Sequence, residues 1–133
     1  MITNESVLAW LKTLSVTADN YYCGTLDKKK DCSFGVYNAG DKYDFEMSIG
    51  GKETTKTALH AGTILVHWNN STRKTQDKAI ALYEAIRDAE DVEIGGYKVD
   101  IIAMRYNEPI DVGTDDNGIC EYVIDFIIYY ERS

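Results

Sequence analysis

The side chains able to do chemistry in this chain are few and badly placed for it. The histidines are His60 and His67, and the cysteines are Cys23, Cys32 and Cys120. Zinc needs nitrogen and sulfur ligands at close, matched spacings. Here the histidines are too far apart for an HxxxH arrangement and no CxxC pair accompanies them. A cysteine and histidine nucleophile pair would need an orienting group and an oxyanion site, and no motif announces either. His67, between Val66 and Trp68, reads as a satisfied polar side chain on a strand, and the cysteines read as small core residues. Asp111, Asp115, Asp116, Asn117 and Gly118 resemble a calcium loop only superficially. In the register of an EF-hand the first ligand position is Gly113 and the twelfth is Ile124, where a bidentate glutamate is required. Ser48-Ile49-Gly50-Gly51-Lys52 lacks the frame of a phosphate loop, and Glu53 stands where Ser or Thr must be. No cofactor, no metal and no catalysis are expected. The alternative, a small enzyme or ligand-binding domain, has only Cys120, His67 and the Asp115-Asp116 turn to work with. A deep pocket holding His67 beside a cysteine or carboxylate would favour it.

The elements that carry these residues follow from periodicity. Along residues 119–130 every even position is apolar (Cys120, Tyr122, Ile124, Phe126, Ile128, Tyr130), while the odd positions mix Glu121 and Asp125 with Val123, Ile127 and Tyr129. That is a long strand with one buried face and one amphipathic face. Its second face is more apolar than a solvated surface needs, so either the strand is central and doubly buried or the surface meets a partner. Before it, an apolar strand over residues 99–106 runs into a kink at Pro109 and a hairpin tip at Thr114-Asp115-Asp116-Asn117-Gly118, where Asn-Gly tolerates positive φ.

Upstream, Thr3 or Asn4 caps an amphipathic helix of about three turns carrying Val7, Leu8, Trp10, Leu11 and Leu14. Strands are expected over residues 21–26 and 32–37, joined as a hairpin by the solvated Lys28-Lys29-Lys30 tip, and over residues 43–49. The polar, Thr-rich residues 52–61 read as a long loop, and residues 62–68 as a strand. A cap at Asn70, Ser71 or Thr72 starts the main helix, whose Ala79, Leu82, Tyr83, Ile86 and Ala89 form its apolar stripe. A turn near Gly95-Gly96 follows. The expectation is a single α+β domain spanning residues 1–133, with a mixed or antiparallel sheet of about six strands and two helices packed on one face.

The balance of 14 basic against 22 acidic side chains, a formal charge of −8, repels nucleic acid rather than attracting it. No stretch approaches the roughly 18 apolar residues of a membrane span, and the start lacks the features of a signal peptide. With an odd number of cysteines at irregular spacing, the expectation is reduced thiols in a cytosol. Ten tyrosines suit edges and interfaces, where an apolar ring and a polar tip are both used. Tyr106 and the Tyr129-Tyr130 pair are the candidates.

Three stretches together resemble the tail-terminator proteins of long-tailed bacteriophages, often labelled minor capsid proteins. They are Gly62-Thr63-Ile64-Leu65-Val66-His67-Trp68 with the helix that follows, the run Asn107-Glu108-Pro109-Ile110-Asp111-Val112-Gly113-Thr114-Asp115-Asp116-Asn117-Gly118, and Glu121-Tyr122-Val123-Ile124-Asp125-Phe126. The resemblance implies a small structural subunit with no cofactor and no reaction. It would assemble with itself as a hexameric ring on the head-proximal end of the virion tail, after synthesis in the bacterial host cytoplasm. There it would stop growth of the tube, touching the major tail tube protein on one side and a head-completion or connector protein on the other. DNA only passes through the channel, and no membrane is involved. A neighbouring head-to-tail connector or stopper is the alternative within the same machinery. Tyr106, Glu108, Pro109, Ile110, Asp115, Asp116, Ile127 and Tyr129 are the residues expected at subunit or partner interfaces.

Overall fold

Strand β7 (Cys120–Glu131) organises the molecule because its period of two sorts its side chains between two environments. The six even-numbered residues from Cys120 to Tyr130 are buried, and the odd-numbered ones between them are half-buried. In the computed structural model, which describes residues 1–24, 30–39 and 57–131, the other elements arrange themselves around it. They are α1 (Asn4–Leu11), β1 (Asn20–Cys23), β2 (Ser33–Asn38), β3 (Thr57–His67), α2 (Thr72–Arg87), β4 (Glu93–Ile94), β5 (Tyr97–Met104) and β6 (Ile110–Thr114). The fold is α+β, with a mixed seven-stranded sheet in the order β1-β2-β3-β7-β5-β4 and β6 paired to β7. The expected strand at residues 43–49, Lys28 and Lys29 of the basic run, and residues 52–56 lie outside the described residues.

β7 is central. β3 lies antiparallel along its whole length, from Thr57 opposite Glu131 to His67 opposite Glu121. β5 and β6 share its other edge end to end, β5 from Val99 opposite Tyr130 to Met104 opposite Phe126, and β6 from Ile110 opposite Val123 to Thr114 opposite Cys120. Ile64, Val66, Phe34 and Val36 join the even positions of β7 in one core with Val7 and Leu11 of α1 and Ala79, Leu82, Tyr83 and Ile86 of α2. Each Val, Leu, Ile or Phe among them contributes about 1.5–3 kcal/mol on burial. Gly62 opposes Phe126, whose ring lies 2.7 Å from where a Cβ on Gly62 would stand. The two central strands therefore leave no room for a side chain there.

Both helices begin as their sequences dictate. Thr3 and Ser6 form a reciprocal capping box on α1, and the Ser71 hydroxyl accepts the Lys74 amide at 3.2 Å on α2. Of the stripe expected on α2, Ala79, Leu82, Tyr83 and Ile86 are buried, while Ala89 lies past the helix end and is half-buried. α1, however, is eight residues long rather than three turns. The Thr13 and Leu14 amides bond back to Trp10 and Leu11, a tighter pattern that closes the helix, while the Thr13 hydroxyl takes the Trp10 carbonyl at 2.6 Å.

Three further expectations are corrected. β1 and β2 run parallel, Asn20 beside Ser33 and Cys23 beside Val36, so they are not the two arms of a hairpin. The cause sits at Cys32, whose φ is +54°. Its amide donates to the Trp68 carbonyl and its carbonyl accepts from Asp19 and Asn20, which fastens the start of β1 to the start of β2. Thr57, Ala58, Leu59, His60 and Ala61 are not loop but the first half of β3, held in register against the far end of β7. The expected strand over residues 99–106 is β5, which starts at Tyr97 and ends at Met104. At Gly95 and Gly96, with φ of +60° and +83°, the β4–β5 hairpin turns as only left-handed backbone allows.

Candidate functional site

The eight residues expected at interfaces fall into three places along β7. Tyr106, Glu108, Pro109 and Ile110 form the connector through which the chain leaves β5 and re-enters the same edge as β6. Its kink is held from the helix side, where the Tyr83 hydroxyl of α2 donates to the Tyr106 carbonyl at 2.7 Å. Pro109 is buried, Ile110 half-buried and Glu108 exposed. The Tyr106 ring is 41% exposed, with the Arg105 guanidinium 5.2 Å from its centre. Arg105 also lies 3.9 Å from Asp125, which accepts the Thr63 hydroxyl at 2.7 Å and so ties β3, β7 and the connector together. Beside the connector a groove of about 240 Å3 is lined by Gln76, Ile80, Glu108, Pro109, Ile110, Asp111 and Tyr122. Burial pushes the Tyr122 phenol upward, and Asp111, Cys120 and Glu108 push it the same way.

The second place is the hairpin tip. Asp115 Oδ1 accepts the amides of Asn117 and Ile119 at 2.8 and 2.9 Å. Gly118, at φ +78°, is the residue there in the left-handed region, while Asn117 is not, so the tip is a four-residue turn closed by glycine rather than an Asn-Gly pair. The other Asp115 oxygen faces inward, 3.6 Å from His67 Nε2. His67 Nδ1 lies 3.0 Å from Glu121 Oε2. One imidazole thus stands between two carboxylates. Its Nδ1 is within hydrogen-bond distance of Glu121, while Nε2 stays beyond that distance from Asp115. Asp116, by contrast, is exposed.

The third place is the odd face of β7. Ile127 lies opposite Ala61 and Ala103, and Tyr129 opposite Leu59 and Ile101. Directly opposed residues share a face, so these six side chains make one apolar strip. Ile101 in it is 58% exposed.

His67 does have carboxylates beside it, the geometry that would favour an enzyme, but its side chain is 0% exposed. The expectation that the cysteines are small core residues holds for Cys120 alone, since Cys23 is exposed and Cys32 half-buried. Burial, reinforced by Asp31 and Asp19, pushes the Cys32 thiol up, and burial with Glu5 does so at Cys23, which lowers the thiolate fraction. Among the described residues no group of three or more His, Cys, Asp and Glu could hold a metal ion, and no helix is long and apolar enough to cross a membrane.

Ile80, Tyr83 and Ile101 were not singled out as site residues from the sequence. Ile80 carries a legible signal, being an isoleucine just off the stripe formed by Ala79, Leu82, Tyr83 and Ile86. Tyr83 carries none, because its hydroxyl acts 23 residues away.

Residues 1–132 match the family described as bacteriophage tail terminator protein. No curated protein matches the chain.

Proposed function

Because the chain belongs to the bacteriophage tail terminator family, a structural component of the virion tail that interacts with other tail and head proteins, we propose that its working form is a ring. In this reading residues 1–133 act as one tail-terminator-like domain, and six copies close head to tail on the head-proximal end of the tail tube. The ring stops addition of the major tail tube protein and presents its other side to a head-completion or connector protein. Assembly takes place in the host cytoplasm, and DNA passes through the channel without being bound.

The observation that carries the reading is the apolar strip of Leu59, Ala61, Ile101, Ala103, Ile127 and Tyr129. The helices contribute to the core with the even positions of β7; we read them as covering that face and leaving the odd face to a neighbouring subunit. A cyclic ring needs two different complementary surfaces on each subunit, and a strip rich in aliphatic and tyrosine area suits the centre of one. The net charge of −8 supports a channel to which DNA does not adhere.

The double substitution Ile127→Asp with Tyr129→Asp tests this surface. Both side chains are only half-buried, so the expected product is a folded monomer by circular dichroism and light scattering. A ring that survives the change would show that subunits meet elsewhere.

A further inference from the structure

One row of side chains crosses five strands. Tyr21, Phe34, Val66, Tyr122 and Asp111 are cross-strand partners in turn, from β1 at one margin of the sheet to β6 at the other. Directly opposed residues share a face, and the two ends of this row differ in charge. At the β1 end the exposed Lys12, which closes α1, holds its ammonium 5.7 Å from the centre of the Tyr21 ring. Asp19 and Asp31, the acids flanking this margin, stand before the starts of β1 and β2 and act on the Cys32 thiol. At the β6 end Asp111 and Glu108 are exposed on the groove that Ile80 and Pro109 also line, and no basic residue is among the residues lining it. Asp111 gives one oxygen to the Gly113 amide at 2.8 Å and keeps its charge. Ile80 is 38% exposed there and takes no part in the core. The next row, on the opposite face, runs from Tyr22 through Gly35, Leu65 and Val123 to Ile110, so it is apolar at both ends. Among the described residues no strand pairs with the outer side of β1 or of β6.

We propose that neighbouring copies of this chain meet end to end along this row, the Lys12 and Tyr21 margin of one copy seated against the groove of Glu108, Asp111 and Ile80 on the next. The inference rests on the ring proposed above and adds which margins its subunits join. Complementary ends on one chain are what a head-to-tail contact demands, since each copy then offers a surface and a different surface that fits it. The Lys12 ammonium meets the two carboxylates, while its methylene stem and the Tyr21 ring cover Ile80 and Pro109. On the other face Tyr22 comes beside Ile110. The register of β6 shifts between Asp111 and Gly113, and Val112 in that bulge is 50% exposed, so side chains carry the contact rather than a backbone ladder continued from copy to copy. Each copy carries −8, but at physiological salt charges more than about 8 Å apart are largely screened, which leaves the contacting groups to decide.

Charge reversal tests the pair in the full-length protein, by light scattering over a dilution series in physiological salt. Lys12→Glu and Glu108→Lys both change exposed side chains. Each variant is expected to keep the circular dichroism spectrum of the wild type and to lose the ring at a concentration at least about tenfold higher. An equimolar mixture of the two variants is expected to recover the ring to within about threefold of the wild type, because alternating subunits set opposite charges at every junction. The double substitution in one chain should do the same. A ring that withstands dilution as well in both variants as in the wild type would overturn the inference and leave the ring itself standing. So would a loss that neither the mixture nor the double substitution recovers. A wild type that forms no ring removes the ring reading, and this inference with it.

Discussion

His60 and Gly62, two residues apart on β3, show how single positions constrain this protein in different ways. Half-buried His60 has its Nε2 2.8 Å from the Asn4 side-chain oxygen, and burial holds its pKa below the usual histidine value. A base that binds protons less readily when folded than when unfolded contributes stability above its unfolded pKa of about 6.5 and loses it as pH falls. Stability measured by urea unfolding is therefore expected to decline between pH 7 and pH 5, and His60→Gln should flatten part of that slope. An unchanged slope in the variant would remove His60 as its source. At Gly62 the obstacle is steric. Gly62→Ala drives a Cβ into the buried Phe126 ring, with the Tyr37 carbonyl 3.2 Å away on the other side, and should cost about 1–3 kcal/mol. At Gly35 the nearest obstacle is the end of the Tyr37 side chain, which can swing aside, so Gly35→Ala should cost less. Nothing in the sequence marks Gly62 as the more constrained, because the ring that obstructs it comes from β7, far along the chain.

At the scale of elements, what could be read in advance was what repeats locally. β7 and α2 declared themselves because their apolar residues recur at periods of two and 3.6. The tip declared itself through Asn117-Gly118, although it is Gly118 and not Asn117 that takes a positive φ. The pairing direction of β1 did not, since the start of β1 is fastened by the Asp19 and Asn20 amides to the Cys32 carbonyl just before β2. The first half of β3 did not either. Its Thr57-Ala58-Leu59-His60-Ala61 has no clear alternation and is a strand through the far end of β7. The connector was legible as a kink from Pro109, while the Tyr83 hydroxyl that fixes it was not. Tyr83→Phe removes that one bond and should cost about 0.5–1.5 kcal/mol. Faster hydrogen exchange is expected at the connector and β6, with that of α1 unchanged. At the tip, Asp115→Ala frees the Asn117 and Ile119 amides and should destabilise by about 1–2 kcal/mol. Asp116→Ala, on an exposed side chain, should have little effect.

For the whole molecule, the three candidate surfaces lie on one hairpin and its neighbours, and each has a different character: an apolar strip, an acidic groove and a tip locked by its own aspartate. The family was legible from the strand and helix around residue 62 and from the hairpin onward, whereas the match extends over residues 1–132. The N-terminal half adds a short helix and a parallel strand pair whose chemistry announces little. The central claim is that this acidic, partly apolar subunit closes into a ring. The most direct measurement is the native mass of the purified protein by light scattering over a dilution series, with negative-stain imaging of the largest species. The account predicts a species of about six subunits with a central hole, the closed product of a heterologous interface. A strict monomer at every concentration, remaining monomeric when tail tubes are added, would contradict it.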